Sequence, residues 1–78
     1  MSDRLFLINL KEGDIATIVS VNGGRGVVQR LTDMGLTPGT EIKVIKSAAL
    51  NGPIEISVRS SKLVIGRGVA AKVHVKRK

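Results

Sequence analysis

Residues 30–39 read Arg30-Leu31-Thr32-Asp33-Met34-Gly35-Leu36-Thr37-Pro38-Gly39, and nearly every position has its own local task. Asp33 and Met34 close a helix, and Gly35 takes the left-handed conformation that a side chain resists. Leu36 then folds back onto Leu31, the apolar contact that accompanies a Schellman cap. Pro38 presets φ and Gly39 accepts φ > 0, so the pair occupies the centre of a type II turn ahead of a strand from Glu41 to Lys46. The stretch predicts a rigid corner between a helix and a sheet.

On the N-terminal side of the corner, Val27, Val28, Leu31 and Met34 recur at helical spacing, which puts them on one face of a helix of about three turns. Gln29, Arg30, Thr32 and Asp33 fall outside that stripe. Asn22-Gly23-Gly24 separates the helix from Ile15 to Val21, a β-branched run that reads as a largely buried strand. Before it, Leu5 to Leu10 is an apolar entry segment, and Lys11-Glu12-Gly13-Asp14 makes a turn.

On the C-terminal side, Ser47 to Gly52 is a loop ending in Asn51-Gly52, a strong hairpin signal. Ile54, Ile56 and Val58 alternate with Glu55, Ser57 and Arg59, so one face of that strand is inside and the other wet. Ser60-Ser61 is read as a turn and Lys62 to Ile65 as the next strand. Val69 to Lys72 is read as a single helical or 3₁₀ turn, with Val73 and Val75 pointing inward from a last short strand. About five short strands with exposed edges predict an all-β chain with a short helical insertion, closed into a small SH3-like β-barrel. Residues 1–78 are expected to form one domain, with 76–78 as a basic C-terminal tail.

Seventy-eight residues leave no room for a second core. The absence of cysteine excludes a disulfide framework and thiolate metal sites, and fits a reducing, cytoplasmic compartment. The N-terminal apolar run is shorter than a signal peptide requires, and no stretch approaches the ~20 apolar residues of a membrane span. Thirteen basic against six acidic residues give a net charge of +7, which favours a polyanionic partner. Phe6 is the only aromatic residue, so the stacking platform of a base-reading protein is missing and nucleic-acid recognition is not expected.

Chemistry-bearing patterns are few. Gly66-Arg67-Gly68-Val69-Ala70-Ala71 matches a dinucleotide fingerprint, but only seven residues follow it, too few for the crossover helix and ribose-binding acid of such a site. Its two glycines are read instead as allowing a sharp backbone bend. Gly23-Gly24-Arg25-Gly26 lacks the lysine and hydroxyl of a phosphate-binding loop. His74 is the single histidine, expected to point to solvent between Val73 and Val75, and it is a poor metal ligand alone. No nucleophile–base set and no paired carboxylates on one predicted face are present, so neither an enzyme nor a resident cofactor or metal is expected.

The order Arg30-Leu31, Met34-Gly35-Leu36, Pro38-Gly39 resembles the signature of the ferrous iron transport protein A (FeoA) family. The resemblance continues at Leu10, Gly13 and Ile18, at Gly52-Pro53-Ile54 and from Leu63 to Val75, so it spans nearly the whole chain. It departs at Gly66-Arg67-Gly68, where many family members carry charged residues. The resemblance implies an SH3-like fold and a cytoplasmic accessory role in ferrous iron uptake, through binding to the GTPase region of the membrane transporter, at the inner face of the membrane. Candidate partner-binding residues are Arg25, Gln29, Arg30 and Asp33 on the helix, with Leu36 and Pro38 from the corner. Two other readings stay open: a nucleic-acid-binding barrel, which the charge favours, and a metal-responsive corepressor-like domain.

Overall fold

β-branched runs that alternate inward and outward generate, among the described residues, a sheet of six antiparallel strands, one more than the sequence predicts. The computed structural model describes residues 5–47 and 52–78. The strands are β1 (Leu5–Phe6), β2 (Ile15–Val21), β3 (Glu41–Ser47), β4 (Ile54–Val58), β5 (Ser61–Ile65) and β6 (Val73–Arg77). Helix α1 (Arg25–Asp33) lies between β2 and β3, and a short helix α2 (Arg67–Ala70) lies between β5 and β6. The additional strand, β1, is two residues long, too short to leave an alternation signal; a 3₁₀ turn over Leu7–Asn9 follows it.

Strand order in the sheet is β1-β6-β2-β3-β4-β5. The sheet curls into an SH3-like barrel, but the ladder is not closed, because β5 and β1 do not pair. The expected closed barrel is thus corrected to an open one with a free edge at β5. A register shift between Ile18 and Ser20 in the β2–β6 ladder leaves Val19 as a bulge, and bulges of this kind bend a strand.

The core collects one residue from each inward step: Ala16 and Ile18 from β2, Ile42 and Val44 from β3, Ile54, Ile56 and Val58 from β4, Val73 and Val75 from β6. Leu31 and Leu36 join the same cluster from either side of the corner. β2 is only half-buried, contrary to the sequence reading, since Ile15 and Val19 are exposed at 36% and 42%.

Three local expectations change. The β4–β5 turn is Arg59-Ser60 rather than Ser60-Ser61, with φ of 49° and 71° at two non-glycine residues. Val58 pairs with Ser61, so this is a two-residue hairpin loop of type I′ character. Lys76 and Arg77 do not form a loose tail but pair with Thr17 and Ala16 of β2, and the Lys78 amide donates to the Ile15 carbonyl at 2.9 Å. Their side chains remain exposed. Gly66 has φ −66° and ψ 155° as the cap of α2, and Gly68 is helical, so no bend requires either glycine. Of the expected Ser47 to Gly52 loop, residues 48–51, Asn51 among them, lie outside the described residues, while Ser47 ends β3 and Gly52 lies just ahead of β4.

Candidate functional site

The corner has the geometry its sequence predicts. The Gly35 amide donates to the Thr32 carbonyl at 2.9 Å and the Leu36 amide to the Leu31 carbonyl at 2.8 Å, the bond pair of a Schellman cap. Gly35 has φ +89° and Gly39 φ +91°. The Thr40 amide closes the Pro38-Gly39 turn on the Thr37 carbonyl at 3.1 Å, and the Thr37 and Thr40 hydroxyls meet at 3.0 Å. Two further bonds clamp the turn to β2: Gly39 donates to the Ile18 carbonyl at 2.7 Å, and Ile18 donates to the Thr40 carbonyl at 2.8 Å.

Helix α1 therefore leaves the sheet at a fixed angle and displays one polar face. Arg25, Gln29, Arg30 and Asp33 are all exposed on it. Gln29 Nε2 donates to Asp33 Oδ1 at 2.9 Å, which ties two of the four together one turn apart. Arg25 and Arg30 have no carboxylate within ion-pair distance among the described residues. Of the two corner candidates, Pro38 is exposed. Leu36 is 1% exposed and lies in the core, so it cannot touch a partner directly; the cap that folds it back onto the helix is what buries it.

Beside this polar face runs an apolar groove that the sequence reading missed. Leu31 and Ile65 form its buried floor, Val27 and Met34 of α1 one wall, Val64 and Val69 the other, with Arg30 and Gly66 at the rim. Val64 is 63% exposed. A signal was available: Leu63-Val64-Ile65 places three apolar residues in a row on a strand, which puts one of them outside.

The remaining candidates are structural. His74 faces away from the core as its alternation requires, but it is half-buried, its ring 5.6 Å from that of Phe6 at an interplanar angle of 56°. The two residues are opposite one another in the β1–β6 ladder, an aromatic cross-strand pair in place of the expected solvent-facing histidine. Among the described residues no three His, Asp or Glu side chains gather as a metal site would require. The Asp14 carboxyl is held below its ordinary pKa, first by the backbone amide of Lys11, which donates to Oδ2 at 2.7 Å, and further by Arg77 at 3.2 Å. Partial desolvation opposes this. No described helix is long and apolar enough to cross a membrane.

The chain is a small SH3-like barrel domain carrying a helical insertion, with a polar helix face beside an apolar groove. Its relatives give it a family. The model of the FeoA domain matches residues 6–77, and the chain belongs to the FeoA family. It is 42% identical over 65 residues to a protein of Methanocaldococcus jannaschii named for Fe(2+) transport, protein A, covering 83% of this chain and 77% of the relative. A crystal structure described as iron uptake regulatory protein (FeoA) superposes with a TM-score of 0.90 at 38% identity, covering 97% of this chain and all 100% of that one. The solution structure of FeoA from Chlorobium tepidum gives a TM-score of 0.85 at 36% identity, covering 94% of this chain and 70% of its own. A manganese-dependent transcriptional repressor reaches a TM-score of 0.90 over 43% of its length, but at 15% identity that likeness is one of fold alone.

Proposed function

We propose that this chain is a cytoplasmic accessory protein of ferrous iron uptake that binds the GTPase region of the ferrous iron membrane transporter and modulates it. The observation that carries the reading is the FeoA match across residues 6–77. Supporting it are the four exposed polar residues of α1 beside the clamped corner. A surface already locked by a Schellman cap and a hydrogen-bonded turn loses little conformational freedom when a partner docks.

On this reading the chain is a binder and not an enzyme, and residues 1–78 act as one domain. A small rigid barrel modulates a partner only through unequal affinity for two of its states. The GTPase supplies such states through its nucleotide. The net charge of +7 would also favour residence near an anionic inner leaflet.

The test is a pull-down of the cognate transporter's soluble GTPase region, free, with GDP and with a non-hydrolysable GTP analogue. Retention that differs between nucleotide states is expected. Absence of association at about 10 to 100 μM, the range in which weak regulatory contacts fall, contradicts the proposal.

A further inference from the structure

Among the described residues β5 is the outermost strand of the sheet and has β4 as its only neighbour. In the β4–β5 hairpin Val58 faces Ser61 across the two-residue turn, Ile56 faces Leu63 and Ile54 faces Ile65. Antiparallel pairs alternate between bonded and non-bonded, and the pair that closes such a turn is bonded. The intervening residues, Lys62 and Val64, therefore aim their amides and carbonyls away from β4. Among the described residues no backbone hydrogen bond outside the ladder reaches either of them.

This free edge borders the groove. Val64 and Ile65 line one side and α1 the other, so a chain laid along β5 would run between strand and helix. The groove offers about 90 Å³, room for several waters or one apolar side chain. Exposed strand edges are usually blunted by bulges, proline, charged side chains or a covering element, and of these β5 carries one charge, Lys62, which would also pair with an acidic strand. β5 has no proline and no register shift.

Charge selects what fits. Arg30 stands at the groove, Lys62 shares the outward side of β5 with Val64, and Arg67 follows Gly66 at its end. None of the three has a carboxylate within ion-pair distance among the described residues. The nearby acids are Glu55, opposite Val64 in the ladder, and Asp33, already bonded to Gln29.

We propose that the β5 edge is a docking site for an extended, acidic segment of a protein partner, which adds to the sheet as a seventh strand through Lys62 and Val64 and seats an apolar side chain between Val64 and Met34. The inference rests on the reading of this chain as a partner-binding module and names the chemistry of the partner. In strand addition the main chain supplies affinity and alternate side chains supply selectivity.

The probe is a blocked peptide that alternates glutamate with valine and leucine, titrated into the full chain and followed by amide chemical shifts and hydrogen exchange. Expected are saturable shifts at Val64, Val69 and Met34, and slowed exchange at the Lys62 and Val64 amides. A proline at the peptide's centre, which removes its pairing, should weaken binding at least about tenfold. So should Val64→Pro, which deletes an outward amide and leaves the β4 ladder intact, and replacement of the glutamates by lysine. Lack of saturation at about 1 mM, or binding indifferent to both prolines, overturns the proposal. A final arm separates it from the functional reading. If Val64→Pro still binds the GTPase region as wild type does, the β5 site is wrong and the function stands. If the GTPase region does not bind while the peptide pairs with β5, the site stands and the function is wrong.

Discussion

The amide of Gly39 donates to the carbonyl of Ile18 at 2.7 Å, and this bond joins the corner after α1 to the middle of β2. It sits where β2 bulges at Val19. The helix, its cap, the type II turn and the bulge therefore form one mechanical unit. The polar face of α1 is held relative to the sheet by backbone bonds rather than by side-chain packing alone.

Glycine substitutions should separate conformational need from habit. A Cβ at Gly35 would meet nothing within 4 Å, yet φ is +89°, so Gly35→Ala should cost about 1 kcal/mol through backbone strain alone. Gly68 also has open space and no positive φ, and it lies inside α2. Gly68→Ala should stabilise by about 0.5 to 1 kcal/mol. Urea unfolding of both variants reads the opposite signs.

Leu36→Ala tests the correction at the corner. Leu36 is 1% exposed, and truncating a buried leucine costs about 2 to 5 kcal/mol. The variant should lose thermal stability heavily, with partner affinity falling only in proportion to the unfolded fraction. Pro38→Ala, at an exposed turn position, should cost less than about 1 kcal/mol.

The helix, the corner and the inward positions of β3, β4 and β6 were legible because each has a short-range cause: a 3.6-residue stripe, a Gly-Leu cap, a Pro-Gly turn, a two-residue alternation. What escaped the sequence is non-local. β1 becomes a strand only because β6 lies beside it, and Phe6 covers His74 only through that pairing. Lys76 and Arg77 look like a tail until β2 is there to bond them. The groove needs α1 and β5, which are remote in sequence; Leu36, by contrast, is buried by the local cap contact with Leu31, so its place among the partner-binding candidates conflicts with the cap reading itself. The polar face of α1 was legible; the free edge of β5 was not.

Arg59 and Ser60 hold positive φ at 49° and 71°, where asparagine and glycine are favoured. Arg59→Asn with Ser60→Gly should stabilise the hairpin by about 0.5 to 1.5 kcal/mol. The change should appear in the denaturant midpoint with the slope unchanged.

Asp14 sets part of the acid limb of stability. Its pKa is lowered in the folded chain, first by the Lys11 amide and then by Arg77, so the unfolded state binds the proton more readily. Its stabilisation is complete above the ordinary carboxylate pKa of about 3.9 and is lost as pH falls through the lowered folded value. Wild type should exceed Asp14→Asn in stability near about pH 6, and the gap should narrow towards about pH 2.

The central claim is that α1 and the adjoining surface recognise the transporter's GTPase region. The most direct measurement is a titration of the ¹⁵N-labelled chain with that region, mapping shifted and broadened amides residue by residue. The account predicts saturable changes at Arg25, Gln29, Arg30 and Asp33, and at Gly39, which reports for Pro38 because proline has no amide proton, extending to Val64, with different affinities in the GDP- and GTP-like states. Changes confined to β1 and β6, or none at all, would contradict it.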